Sequence, residues 1–532
     1  MYGPEVAVAT AFHNKTINTT CGRSISAIFI YDPTRVKNLE ALNLSDDTKQ
    51  DNKIIYYYPS YKPSNERRSY LGLIEGLVSI SSLLMSGGKP LDYIKTRKHE
   101  IVVKSINNSN IWICLIMKLS YILKIQAGKV VGIEYIEDVS SEDKDNNSIS
   151  NFKGDHLEST EYKDKSNRES LLSLLDSFIE LFTLLHGNIQ DMEETQLIDI
   201  LEDFVPSFID TIDLNTLSVF TFLSGFYYAP VEKLTQLSVI NLVEKVRTTF
   251  NIIAHISIFY DAHMLYSTLP LNSSRILYNY LVMNNGVAYN DKLYNSPYGR
   301  FPTAAALEIS GGSSSFGRCN SIINNQGFLF GPLELEENSN NLVFCPQIYL
   351  PDFIKSFKLC TFIYKDIMIV IVLDNDYLSF IYSEKYEGTN TSFNNIQECS
   401  DKLFQIREFI INTDGGLKHI SNNIIKQFTT IMNEPDKYRF FYLNNINNAI
   451  RRSNKLLKST KTLMSATEGE CVERISKLID SDSLITEVMY KPSNGGWIVC
   501  KKSLDRIFHL FSEDIHVTIT KIKSRFTCYI LI

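Results

Sequence analysis

"SISAIFIYDP" (24–33) is a run of apolar, β-prone residues closed by a proline, and "DNKIIYYYPSY" (51–61) is a second one. Proline cannot donate to a sheet ladder, so each run reads as a strand with a fixed end. Directly after them, "ERRSYLGLIEGLVSISSLLM" (66–85) repeats apolar residues at helical spacing. Further strands are expected near 92–96, 100–106 and 111–119, joined by polar turns such as "RKH" and "NNSN". Closing strands at such short spacing argue an antiparallel meander, since a parallel crossover needs a dozen or more connecting residues. The front of the chain is therefore expected to be a sheet carrying one helix.

Working outward, "ESLLSLLDSFIELFTLLHG" (169–187) and "EETQLIDILEDFVPSFIDTI" (193–212) have the spacing of amphipathic helices. Between sheet and helices lies 137–170, acidic and nearly devoid of large apolar residues, which reads as a disordered insertion. The order of elements then recurs. A helix at 232–249 precedes "NIIAHISIFYDAHMLYSTL" (251–269), where "DA" marks a hairpin, and another helix covers 272–283. After an Asn-, Gly- and Ser-rich loop at 284–326, strands resume at 327–335, 341–350 and 358–382, and helices fill 394–432. A last sheet begins at 438–445 and ends within 483–511. The expectation is an α+β chain of three similar units, each a mostly antiparallel sheet with flanking helices: 22–212, 213–432 and 433–532.

With 532 residues, 44% apolar and 11% aromatic, the chain has ample material for several cores. A formal net charge of -7 leaves no overall electrostatic footprint for nucleic acid. Nine cysteines stand singly, never as CxxC, and read as reduced, buried thiols of a cytosolic protein. The N-terminal stretch lacks the basic and apolar regions of a signal peptide. The two most apolar runs, 111–125 and 358–382, are interrupted by Lys118 and Lys124, and by Lys365-Asp366 and "DND". They read as sheet strands, not as membrane spans, which need about 20 continuous apolar residues.

Catalytic and metal signatures are missing. "MSGGKPLD" (85–92) fails as a phosphate loop, with Leu83 where the first glycine belongs and Pro90 where a hydroxyl residue belongs. "SGGSSSFGR" (310–318) follows no strand. His255 and His263 flank a predicted hairpin and suit ordinary strand positions better than a metal pair, and there is no HExxH and no G-x-S-x-G elbow. No cofactor, metal or catalytic residue is assigned.

Two features suit binding instead. The helix at 66–85 is apolar over more than one face: Tyr70, Ile74, Leu77, Ser81 and Leu84 form one stripe, widened by Leu71, Leu73, Val78, Ile80 and Leu83. The remaining stripe, Gly72, Glu75, Gly76, Ser79 and Ser82, is small enough to admit another backbone. It can serve burial in its own domain or a subunit interface. "RRSNKLLKSTKTLM" (451–464) gathers Arg451, Arg452, Lys455, Lys458 and Lys461 without an acid, on a helix or arm that could meet an anionic bilayer or be a solvated basic face.

Sheet strands around one helix with two helices trailing resemble a longin domain. More specifically, "FIYDPTRVKN", "DNKIIYYYPS", "YLGLIEGLVSISSLL", "NIWICLIMKLS", "GFLFGPLEL", "YRFFYLNNINNAIRRS" and "GGWIVCKKSLDRIFHLF" resemble, in order, blocks of the calcium-caffeine-zinc-sensitivity family of vacuolar fusion subunits. The resemblance implies three longin domains and one subunit of a heterodimeric guanine-nucleotide exchange factor, paired with a monensin-sensitivity (Mon-type) longin subunit and acting on the late-endosomal Rab GTPase (Rab-seven). It implies no bond-breaking site, and a cytoplasmic protein peripheral on late-endosomal, vacuolar or lysosomal membranes, with an anionic or phosphoinositide surface as a further partner. The partner and Rab platform would fall on Tyr70, Gly72, Ile74, Glu75, Gly76, Ser79 and Leu83 of the helix, with Tyr93 and Ile94 of the next strand. The stretches 1–21, 137–170 and 284–326 match nothing in that pattern. A non-catalytic longin scaffold of another trafficking complex, or an enzyme without a known signature, are the alternative classes.

Overall fold

The computed structural model describes residues 17–35, 46–84, 90–135, 155–212, 225–283, 328–329, 345–375, 392–433, 439–453, 471–479 and 484–512, apart from short gaps within them. The chain divides into two compact units, 1–179 with 188–221, and 180–187 with 222–532.

The first unit is built on a five-stranded antiparallel sheet in the order β3-β2-β6-β5-β4, formed by β2 (Ser24–Tyr31), β3 (Ile54–Tyr58), β4 (Tyr93–Lys95), β5 (His99–Ser105) and β6 (Trp112–Lys118). Helix α1 (Asp46–Lys53) precedes β3, and α2 (Ser64–Leu84) links β3 to β4. Period-two alternation sorts the strand residues. Ala27, Phe29, Tyr31, Tyr57, Ile101, Val103, Cys114 and Ile116 form one core with Leu71, Ile74 and Val78 of α2. Their alternates Ile28, Ile30, Tyr56, Val102, Ile113, Leu115 and Met117 are buried on the other face. On that face Lys104 pairs with Asp176 of α3 (Asp155–His186), and α4 (Glu194–Asp210) packs against β3. Phe178 of α3 packs edge-on to Phe204 and Phe208 of α4 at 5.2 and 5.1 Å between centroids. Beside this sheet, β1 (Ile17–Cys21), β7 (Tyr121–Gln126) and β8 (Lys129–Tyr135) make a three-stranded antiparallel sheet. The predicted first domain, starting at 22, omits β1, which pairs with β7 from Ile17↔Ile125 to Cys21↔Tyr121.

One expectation fails here. The acidic stretch 137–170 was to be disordered throughout, but from Asp155 onward it is the first half of α3. At its C-terminal end, polar side chains of this stretch bond toward the sheet edge. Asn167 and Ser170 are buried, Arg168 Nε donates to Asp92 at 2.8 Å, and Asn167 reaches Glu100 at 3.1 Å. Residues 136–154 lie outside the described part.

In the second unit, one sheet runs β11-β10-β15-β14-β12 with β13 also on β14, using β10 (Ile253–Tyr260), β11 (His263–Ser267), β12 (Phe328–Leu329), β13 (Gln347–Tyr349), β14 (Ser356–Tyr364) and β15 (Ile367–Asp374). The apolar run 358–382 holds most of β14 and all of β15, which is its most apolar part. Its Ile367, Ile369, Ile371 and Leu373 enter a core with α5 (Lys233–Thr249), α7 (Ser392–Asn412) and α8 (Leu417–Asn433). Met368, Val370 and Val372 enter a second core with α6 (Leu271–Met283). A strand buried on both faces reads as a continuous apolar run. Among the described residues no helix is long and apolar enough to cross a membrane.

The last sheet has the order β18-β19-β20-β16-β17-β9, from β16 (Arg439–Asn444), β17 (Ala449–Arg452), β18 (Glu487–Tyr490), β19 (Trp497–Ser503), β20 (Arg506–Ser512) and β9 (Phe226–Tyr227). Strand β9, drawn from the range expected to be the second domain, pairs in parallel with β17. Gly225 makes that approach possible, since a Cβ there would stand 2.4 Å from the Asn448 carbonyl oxygen. The ranges 213–432 and 433–532, expected to be separate domains, are thus joined: the first lends β9 to the last sheet, and both lie in one compact unit. The basic run 451–464 is also corrected at its start: Arg451 and Arg452 belong to strand β17, not to a helix or arm, while Lys455, Lys458 and Lys461 lie outside the described residues.

His509 sits in β20, fully buried, with neither ring nitrogen hydrogen-bonded. Burial pushes its pKa down to about 4. Because the folded value lies below the ordinary 6.5 or so, protonation favours the unfolded chain; the stability is present above about pH 6.5 and drains away toward pH 4. From pH 7 to pH 5 this one group is expected to cost about 2 kcal/mol. Urea melts of wild type and His509→Phe at both pH values check it, and equal acid sensitivity of the two proteins would refute it.

A candidate interface on the first unit

Helix α2 starts after Pro63 and carries Glu66 in its first turn, as suits the positive end of a helix dipole. Each residue advances about 100° round its axis. Leu71, Ile74 and Val78 share the arc that faces the sheet and are buried. Tyr70 is half-buried beside them, its ring edge-on to His99 at 6.2 Å. About 120° further round, Leu73, Leu77, Ile80 and Leu84 fall within about 60° of arc, the four-three-four spacing of a helix-packing seam. Leu73 is 48%, Ile80 54% and Leu84 80% exposed, with Leu83 on the flank of the stripe at 85%. Large apolar residues aligned on one exposed stripe mark a binding surface more than they do when scattered.

The polar helix α1 decides which side of α2 is left open. Sequence patterning did not reveal it, because "DDTKQDNK" has no apolar period. It is held by charge: Arg68 of α2 reaches Asp51 at 3.2 Å and Asp47 at 3.4 Å, and Lys53 meets Glu75 at 2.5 Å. A Cβ on Gly72 would lie 3.5 Å from Gln50 Nε2. The stripe of small residues expected to admit a second protein is therefore split. Gly72 and Glu75 face this chain's own α1, whereas Gly76 has open space around it and Ser79 is exposed.

The other residues expected at the interface separate in the same way. Ile74 is wholly buried in the unit's core, and Leu83 is almost fully exposed. On β4, last in its sheet, Ile94 packs on the α2 side of the core. Tyr93, opposite Val102, points to the other face, where its hydroxyl donates to Glu100 at 3.0 Å. Glu100 is 1% exposed and also faces Arg23 Nη2 at 3.5 Å. Together with Asn167, these groups fix β4 against α3. Burial raises the phenol pKa of Tyr70, with Glu66 and Tyr135 adding to the rise and Lys62 opposing it. Nothing in this arrangement resembles a nucleophile beside a base; it is a shaped apolar ridge on a braced sheet.

A meander sheet carrying one helix on one face and two on the other is the architecture of a longin domain, and residues 25–187 match the family model described as the first longin domain of INTU, CCZ1 and HPS4. Similarity extends well beyond that domain. The chain is 22% identical over 492 residues to the vacuolar fusion protein CCZ1 homolog of Xenopus laevis, covering 91% of this chain and 90% of the relative. It is 22% identical over 501 residues to the homolog of Tetraodon nigroviridis, covering 91% and 89%. With the homolog of Dictyostelium discoideum it shares 21% over 484 residues, covering 88% and 89%. Over about nine-tenths of its length the chain is thus similar to vacuolar fusion proteins of the CCZ1 type, and its front part matches a longin domain.

Proposed function

We propose that the chain is one subunit of a heterodimeric guanine-nucleotide exchange factor for a late-endosomal Rab GTPase, acting in endosome maturation and fusion with the vacuole or lysosome. The observation that carries this reading is the seam on α2 of exposed Leu73, Ile80 and Leu84 with part-buried Leu77, in a domain whose family model and relatives include vacuolar fusion proteins. A second longin subunit of the monensin-sensitivity type packs its own first helix on that seam, and the joined sheets form the platform for the GTPase. Gly76, Ser79 and Leu83 flank the seam and belong to the same contact.

Such a factor makes and breaks no bond. It binds the nucleotide-free GTPase better than the nucleotide-bound one, and it can shift the equilibrium by that difference in affinity and no more. The switch segments of the GTPase, ordered by nucleotide and magnesium, are what the platform displaces. What this requires of the chain is a rigid surface, and the bonds that tie β4 to α3 and α1 to α2 supply rigidity on both sides of the seam.

Fluorescent-GDP release from the organism's Rab-seven tests the reading. Release is expected to accelerate only when this chain and the Mon-type subunit are present together. Acceleration by neither the mixture nor a co-expressed complex would sink it. Complex formation without acceleration would instead favour a scaffold role.

A further inference from the structure

Helix α1 reads Asp46-Asp47-Thr48-Lys49-Gln50-Asp51-Asn52-Lys53, without one apolar residue. It is too short to persist unaided in water, where a helix needs about 12 to 15 residues even in favourable sequences. Its order therefore comes from docking on α2, and no apolar burial drives that docking. Arg68 of α2 is the keystone. Its Nη1 lies 3.2 Å from Asp51 and 3.4 Å from Asp47, and its Nη2 donates to Asn65 Oδ1 at 2.5 Å, which aims the guanidinium at α1. At the far end of α1, Lys53 Nζ donates to Glu75 at 2.5 Å. Between the two anchor points Gln50 lies beside Gly72, where the missing side chain lets α1 come close. Lys53 then leads straight into β3, the last strand on that side of the sheet, and its carbonyl accepts from the Asp32 amide at 3.0 Å, at the end of β2. Helix α1 thus ties α2 to two strands at the sheet edge.

We infer that α1 is a charge-operated brace. Closed by Arg68 and Lys53, it stiffens the α2 side of the sheet; opened by competing ions or by a change of charge on α1, it slows nucleotide release without dissolving the heterodimer. The brace rests on the exchange reading above and adds a control to it. Elements with little apolar burial are the ones that open locally while the rest of a domain stays folded. Ion pairs at the surface are moreover weak and screened by salt. The side chains that close the brace are within reach of solvent: Arg68 is 17%, Lys53 25% and Asp51 43% exposed. Assembly and release separate because Arg68, Gly72 and Glu75 lie more than about 60° round the α2 axis from the seam of Leu73, Leu77, Ile80 and Leu84. Opening α1 leaves that apolar contact in place and removes only the stiffness with which the platform displaces the switch segments of the GTPase.

Amide hydrogen exchange on the full chain reads the brace without any partner. The amides of α1 are expected to exchange faster as salt rises from about 50 mM to about 500 mM, while those of the buried turns of α2 stay as they are. A surface ion pair is worth at most about fivefold in an equilibrium. Arg68→Gln, which loses two pairs, should therefore speed α1 amide exchange by roughly fivefold to 25-fold, and Arg68→Gln with Lys53→Gln by up to roughly a hundredfold. In the heterodimer the double variant should assemble as wild type does and release fluorescent GDP in proportion to its closed fraction, about tenfold slower when one brace in ten is closed. Arg68→Asp should likewise open α1, and adding Asp47→Asn with Asp51→Arg should restore slow amide exchange and fast release together, which a merely destabilised helix would not do. Unchanged α1 amide exchange in the Arg68, Lys53 double variant overturns the brace. So does wild-type release from a complex whose α1 is open, or loss of the complex itself. If even the wild-type complex leaves release at the rate of the GTPase alone, the exchange reading falls and the brace's part in release falls with it; α1 amide exchange indifferent to salt refutes the brace while leaving that reading standing.

Discussion

Arginine at both Leu73 and Ile80 is expected to abolish assembly with the Mon-type subunit, and nucleotide release with it, while leaving the fold of the chain intact. Both side chains are about half exposed on the open arc of α2, so a guanidinium at either position reaches water in the isolated chain, and the melting temperature should move little. In the heterodimer the same groups would be trapped at the centre of an apolar seam. Truncating a central interface residue commonly costs 2 kcal/mol or more, and an unpaired charge buried in its place costs about 3 to 5 kcal/mol. The pair should therefore weaken assembly by more than about a thousandfold. Sedimentation of the mixed subunits reads this directly. Control positions separate the seam from the rest of the helix. Ile74→Arg, in the core, should unfold the unit, whereas Gly72→Leu should disturb α1 at Gln50 and spare assembly. A double variant that pairs with wild-type affinity would remove α2 from the interface.

Much of the first unit could be read directly. Strands 24–31 and 54–58 carry tightly clustered β-formers closed by prolines, and α2 carries a helical period, so their limits fell within two or three residues of those observed. What the pattern could not show is which arc of α2 faces outward. With apolar residues on most of its circumference, the period alone admits two orientations, and the spare stripe Gly72, Glu75, Gly76, Ser79 and Ser82 that it suggests is only partly open. The choice is made by α1, whose charges pair with Arg68 and Glu75 and whose composition looks like a loop. The same blindness affected 155–170. A segment of that composition reads as disorder, and only Glu100 on β5 and Asp92 before β4 reveal what Asn167 and Arg168 at its end bind. Both errors have one cause. Hydrophobic periodicity detects elements held by apolar burial and misses those held by specific ion pairs, whose partners are distant in sequence.

Glu100→Ala is the second large effect expected, this time on stability. The carboxylate is almost wholly removed from water. Its Oε1 accepts from the Tyr93 hydroxyl at 3.0 Å and from Asn167 Nδ2 at 3.1 Å, and Oε2 lies 3.5 Å from Arg23. Alanine leaves three donors facing a cavity, one of them charged. Removing one partner of a buried charged cluster costs about 3 to 5 kcal/mol, because the groups left behind have already lost their hydration. Glu100→Gln keeps the oxygen that Tyr93 and Asn167 use and gives up only the charge facing the part-exposed Arg23, so it should cost about 1 kcal/mol. The order alanine well below glutamine is the signature of a hydrogen-bond hub; if the two variants lose the same stability in urea, the charge alone matters. A second consequence ties the hub to the interface. Since Glu100 fixes Tyr93 on β4 and Asn167 on α3, Asn167→Ala should destabilise wild type by about 1 to 3 kcal/mol and have little further effect once Glu100 is alanine. In the double-mutant cycle that coupling, and no separate loss at Asn167, would show that the end of the acidic stretch on α3 is there to brace the edge of the sheet.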